Sequence, residues 1–529
     1  SAASQTVAIT DADGFAVGTV DGVNGIASGQ LTLVSTTGNV SVSDNSVAKD
    51  VDASGAVSIT ASADNASFTV AANANVETSS GGVTITADDM DLSGAITATG
   101  QTVLLKSATA GDAINLGTNA AVPNTLELND AELDLVTATT LRIGATNAGA
   151  ITVSAAVSPG SVTNLSLLSD AGIGDNLNAG SITVTNLRLD VDTAVDLSTG
   201  NDVDTLAVNV ADASNALTFG DTDGLTVGVV DGTTGVTTNN AQVDLTGGAN
   251  GTLTISSALA SGGGAVNLTG DKMALTAAVN ATGGTVTLTS ATAGDAIDLG
   301  SGTDAVADTL ELSDTELDLV TAGTLRIGAT DAGAITVSAA LTPANVSTAL
   351  SLLSDEGIGD STNAGSITLA GGLRLDVDTA VDLSTGNDVD SLAVAISGTG
   401  TLEFGDTDGL TVTTVDTTTG VTSNASNISI TAGGDDSVLT VSQAITTGGG
   451  ADTSSVTLTA DKMTIGAGVT TGTNGIATLA PESTADAGDA IDLGGADATN
   501  TLGLTDAELD NVTAGTLRIG ATDAGAITV

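Results

Sequence analysis

Between clusters of Gly, Asp and Asn, apolar and polar residues alternate with period two over short stretches. That is the pattern of a strand with one buried face and one wet face. In 187–192 (LRLDVD), Leu187, Leu189 and Val191 are expected to point inward, and Arg188, Asp190 and Asp192 outward. Leu141 and Ile143 flank Arg142 in the same way in TLRIG. One element departs from this period. The stretches 129–132 (NDAE), 313–316 (SDTE) and 505–508 (TDAE) each fit a helix capping box, which predicts a one-turn helix at a corner. The competing reading is a strand that runs on through LELNDAELDLV, since Leu alternates there too.

The alternation is organised by long repeats. Residues 125–156 and 309–340 differ at only four positions, and a third copy runs over 501–529. DADGFAVGTVDG at Asp11 returns as DTDGLTVGVVDG at Asp221 and DTDGLTVTTVDT at Asp406. AGDAINLG at Ala110 returns as AGDAIDLG at Ala293 and Ala487. The three Met residues, Met90, Met273 and Met463, occupy one equivalent place and are expected to fill the core. The super-repeats are 11–220, 221–405 and a truncated 406–529. Self-similarity of this length built from short alternating strands predicts a stacked, quasi-one-dimensional architecture. The first two copies continue with SAAV and SAAL where the third stops at Val529, so a piece of a longer protein is expected.

The expected fold is therefore all-β: one elongated parallel β-helix (β-solenoid) over 1–529, with occasional short helical turns at coil corners. Tandem β-sandwiches are the rival, but they usually bury a Trp or Tyr, and the chain has neither. At ~20–24 residues per coil the chain divides into about 22–26 coils, and with strands ~4.8 Å apart they form a rod of roughly 105–125 Å.

Composition narrows the function. The formal charge is −54, from 63 acidic and 9 basic residues, which makes nucleic acid and anionic membrane surfaces poor partners. Such a rod is expected to gather cations, divalent ones above all. There is no Cys and no His, so thiolate and imidazole chemistry are excluded. The remaining enzyme class is carboxylate-based polysaccharide cleavage on a β-helix. Acidic clusters are copied from repeat to repeat, and sugar-stacking aromatics are lacking, so the chain is expected not to be an enzyme. No run of 18 apolar residues occurs, and SAASQT has no signal-peptide pattern.

The Asp-x-Asp-Gly turns are the candidate metal ligands: Asp11 and Asp13, Asp221 and Asp223, Asp406 and Asp408. Closely spaced carboxylates on a turn can offer calcium two or three of the six to eight oxygens it takes. The competing reading is an Asx turn closed by Gly. No other cofactor is expected. A second acidic set, Asp190, Asp192, Asp196, Asp202 and Asp204, recurs at Asp376, Asp378, Asp382, Asp388 and Asp390 and reads as a solvated outer face. Of the five Arg residues, Arg142, Arg326 and Arg518 are equivalent, as are Arg188 and Arg374. Each is expected to form an exposed pair with a nearby carboxylate, worth only ~0–1 kcal/mol.

At GDAIDLG…TLGLTDAELDNVTAGTLRIGATDAGAITV (488–529) the chain resembles the filamentous-haemagglutinin-like exoproteins and giant β-strand-repeat adhesins of bacteria. The resemblance implies a right-handed parallel β-helix, export to the bacterial cell surface, and adhesive or structural work. The Asn-Pro-rich N-terminal secretion domain of the two-partner exoproteins is not in this sequence. Two functions follow as expectations. The first is a rod-like stalk segment of a large secreted or cell-surface adhesin. The second is a self-assembling subunit of an extracellular filament, sheath or surface layer. Solenoid ends expose strand edges, and no polar capping repeat closes either end, so head-to-tail self-association belongs to the second reading.

Overall fold

The computed structural model describes residues 2–44, 49–120, 122–175, 179–360, 364–448, 453–482 and 488–529. Ala487, which opens the third AGDAIDLG motif, lies outside them. Contacts divide the chain into two compact units, Ser1–Gly264 and Ala265–Val529, so the division falls inside the second super-repeat.

Each unit is a parallel β-solenoid, as the alternation and the repeats predict. In the first unit one inward column runs Val7, Leu31, Val57, Val83, Val103, Leu141, Leu165, Leu187, Leu206, Val227 and Ile255, each paired in parallel register with the next. From Leu31 onward every member is buried. The second unit repeats the arrangement from Val266 through Val286, Leu325, Leu350, Leu373, Leu392, Val412 and Val441 to Ile465. Each such Val or Leu contributes roughly 1.5–3 kcal/mol by leaving water. Stacking like on like fills the narrow core with no need for aromatics. The three Met residues are buried core fillers, as expected.

Among the described residues the two units comprise about 19 turns, fewer than the sequence suggested. The cause is unequal coil length. Val57 pairs with Val83 and Val83 with Val103, but Val103 next pairs with Leu141. The long coil carries a strand–helix excursion in between.

That excursion holds the predicted helical turn. Asp130–Leu133, Asp314–Leu317 and Asp506–Leu509 are single turns, and the strand-through alternative is not what forms. Asn129 Oδ1 accepts from Glu132 N at 3.1 Å while Glu132 Oε2 accepts from Asn129 N at 2.9 Å. Two N–H groups that a helix start leaves unpaired are satisfied reciprocally. The same Glu reaches a neighbouring coil. Glu132 Oε1 accepts from Leu92 N, Glu316 Oε1 from Leu275 N and Glu508 Oε1 from Ile465 N, at 3.1, 3.2 and 3.3 Å.

Among the described residues, three antiparallel hairpins interrupt the parallel ladder: Thr19–Val20 with Val23–Asn24, Val229–Val230 with Thr233–Thr234, and Thr414–Val415 with Thr418–Thr419. Asp21, Asp231 and Asp416 take the left-handed turn position, with φ of 49°, 46° and 51°. Asp tolerates that region better than bulkier residues. Two-residue turns of this kind match the twist of a hairpin.

Candidate functional sites

The Asp-x-Asp-Gly residues sit at coil corners and close as Asx turns. Asp11 Oδ1 accepts from Asp13 N at 2.9 Å and from Gly14 N at 3.1 Å. In the other two copies the first Asp is drawn inward, leaving Asp221 6% and Asp406 4% exposed. Asp221 accepts from Val203 N at 2.8 Å and Asp223 N at 3.2 Å. Asp406 accepts from Val389 N at 2.9 Å and Asp408 N at 3.1 Å. Each stacks on a buried Asn one coil earlier, Asn201 below Asp221 and Asn387 below Asp406. Burial pushes Asp221 up to about 6 and Asp406 up to about 7, and the adjacent Asp223 and Asp408 add to the rise, against the backbone donors. In each turn the first carboxylate is thus already engaged by backbone N–H groups, and in the second copy Asp223 Oδ1 also accepts from Gly224 N at 2.6 Å. No cluster of three or more potential metal-binding side chains forms among the described residues.

The second acidic set lies on the outer face: Asp196, Asp202, Asp204, Asp378, Asp382, Asp388 and Asp390 are exposed. Asp190 and Asp376 are partly covered, because Arg188 pairs with Asp190 and Arg374 with Asp376.

The arginines do more than form exposed local pairs. Arg142, Ser166, Arg188 and Ala207 stack in one outward column over four consecutive coils. Arg326, Ser351, Arg374 and Ala393 form the same column in the second unit. The following hairpin folds back over each column. Asp231 accepts from Arg142 Nε at 2.7 Å and Nη2 at 2.6 Å, from Ser166 Oγ at 2.7 Å and from Arg188 Nη1 at 3.5 Å. Asp416 accepts from Arg326 Nε at 2.8 Å and Nη2 at 2.7 Å, from Ser351 Oγ at 2.9 Å and from Arg374 Nη1 at 3.4 Å. Beside it, Val415 packs with Ala349 and Ala393.

Burial opposes ionisation of Asp231, but Arg142, Ser166 and Arg188 outweigh it and hold the carboxyl below its usual range. At Asp416 the Arg326 hydrogen bond is the largest influence and acts in the same direction. The side chains of Asp231 and Asp416 are each 9% exposed, so these are partly desolvated, charge-assisted bonds. The expectation of local pairs holds for Arg188 with Asp190 and Arg374 with Asp376, but fails for Arg142 and Arg326, whose partner lies on a hairpin far along the chain. The one trace in the sequence is the recurrence of Arg and hairpin Asp at nearly constant spacing in two super-repeats, which by itself does not reveal that the hairpin folds back.

A second arrangement was also missed. TADD, TGDK and TADK bring Asp88, Asp271 and Asp461 under the coil turn of AGDA, which carries Asp112, Asp295 and Asp489, and all six are buried. Ser107 Oγ bridges Asp88 at 2.7 Å and Asp112 at 3.2 Å. Ser290 Oγ bridges Asp271 at 2.9 Å and Asp295 at 3.0 Å. Burial pushes Asp112 up, helped by the Asp88 charge. Burial and Asp489 push Asp461 up to about 6.

Comparison with protein-family models, curated proteins and solved structures returns no match to this chain. What defines it is the class of its fold, a repeat-built parallel β-solenoid pinned by hairpins.

Proposed function

We propose that this chain is a non-enzymatic stalk segment of a large secreted or cell-surface adhesin, a spacer whose receptor affinity lies in other parts of the protein. The observation that supports the reading most is the repeated staple. A hairpin Asp ties coils far apart in sequence, in the same geometry in both units. Repetition of a mechanical feature suits a load-bearing spacer, whereas a binding or catalytic centre is usually a single break in regularity. The acidic outer face would keep neighbouring stalks apart.

The test is retention of the purified chain on arrays of glycans and matrix proteins and on host cells. The stalk reading predicts no saturable retention. Saturable binding that one surface substitution abolishes would place the receptor site in this segment and overturn it.

A further inference from the structure

The first hairpin has the form of the other two but not their setting. Thr19 pairs with Asn24 and Val20 with Val23, just as Val229 pairs with Thr234 and Val230 with Thr233. Asp21 holds the same left-handed turn as Asp231 and Asp416. Yet Val20 is 73% and Val23 68% exposed, whereas Val230 is 2% and Val415 4% exposed. Asp21 is exposed and makes no ion pair among the described residues. The converse half is present as well. Arg518, the equivalent of Arg142 and Arg326, stacks on Thr478, is exposed, and likewise makes no ion pair among the described residues.

We infer that the hairpin 19–24 is a docking surface for the Arg–Ser–Arg–Ala column of a further super-repeat set ahead of it in the same polypeptide, as 221–405 is set ahead of the hairpin of Asp416. The chemistry of the partner is read from the two filled sites. In both it is a parallel sheet face with two guanidinium groups and one hydroxyl converging on the carboxylate, and in the second Ala349 and Ala393 lie beneath Val415. Charge and shape complement each other, and the hairpin is already folded, so docking costs little ordering entropy.

The experiment joins residues 221–405 ahead of Asp11, in place of 1–10, so that Gly405 precedes Asp11 as it precedes Asp406. Amide hydrogen exchange is followed across 19–24. Docking predicts slowing by roughly tenfold or more, to the level of the other hairpins. Asp21→Asn, which removes the charge and keeps the left-handed turn, should abolish that slowing, as should Arg326→Ala with Arg374→Ala in the added copy. In the chain without the added copy, Asp21→Asn, which keeps the left-handed turn, should leave exchange at 19–24 unchanged. A second fusion carrying only 309–405 supplies the column alone if the longer one folds poorly. Fast exchange at 19–24 in a folded fusion would overturn the inference. So would slowing that ignores both sets of substitutions. An Asp21-dependent dimer of the unfused chain would assign the hairpin to a separate molecule and overturn the assignment within one polypeptide.

Discussion

Asp231 holds Arg142 with two parallel hydrogen bonds across 89 residues of sequence, and in doing so spans the coils of Ser166 and Arg188. Neighbour-only contacts make a solenoid open to peeling coil by coil. A contact that skips coils makes a block of them open together. Asp231→Ala leaves Arg142 and Arg188 without their shared carboxylate. Arg142 is 38% exposed, so the loss falls between that of a surface pair and a buried one, about 1–3 kcal/mol. Asp416→Ala should lose a similar amount. Denaturant melts of both variants check this, and the Arg142→Ala/Asp231→Ala double variant should cost less than the two single losses added together.

Stability should fall as pH rises from about 4 to 7. Asp221, Asp406 and Asp461 have folded values of about 6, 7 and 6, raised above the ordinary 3.8. A raised value favours the protonated folded form. Its contribution is complete below the unfolded value and is lost as pH passes through the folded one. Asp231, Asp416 and Asp88 are shifted the other way and contribute above their unfolded values, a contribution lost as pH falls below about 4. The optimum therefore lies where these ranges meet. Asp406→Asn should flatten the alkaline limb. A melting temperature that rises steadily from about pH 4 to 7 would contradict this assignment.

The capping glutamates join a helical turn to a neighbouring coil. Glu132→Ala removes the acceptor of both Asn129 N and Leu92 N and should cost about 1–3 kcal/mol. Faster amide exchange at Leu92 as well as Asn129 would distinguish this double role from capping alone.

Because each Asx turn engages its first carboxylate with backbone donors, divalent cations should act mainly by screening the −54 charge. Calcium and magnesium at equal concentration should then raise the melting temperature alike. A saturable effect of calcium alone, lost in Asp221→Asn, would instead place calcium at the turns.

Much of the fold was legible because burial alternates as the sequence does: Val57–Ala61 buries every second residue. The capping boxes were legible because they are local. The Arg–Asp staples were not, since no periodicity indicates that a hairpin folds back over a column. The coil count was overestimated because long excursions, such as the one between Val103 and Leu141, look like strands in sequence. The buried Asp88–Asp112 pair was hidden because each Asp sits in a motif that reads as an ordinary polar turn.

The most direct test of the stapled solenoid is to pull the purified chain between two handles in optical tweezers. The account predicts discrete rips, among them steps of roughly 30 nm as ~90 residues extend at ~3.4 Å each, with these large steps breaking into smaller ones in the Asp231→Ala/Asp416→Ala variant. Smooth extension without rips, or identical traces for wild type and variant, would contradict it.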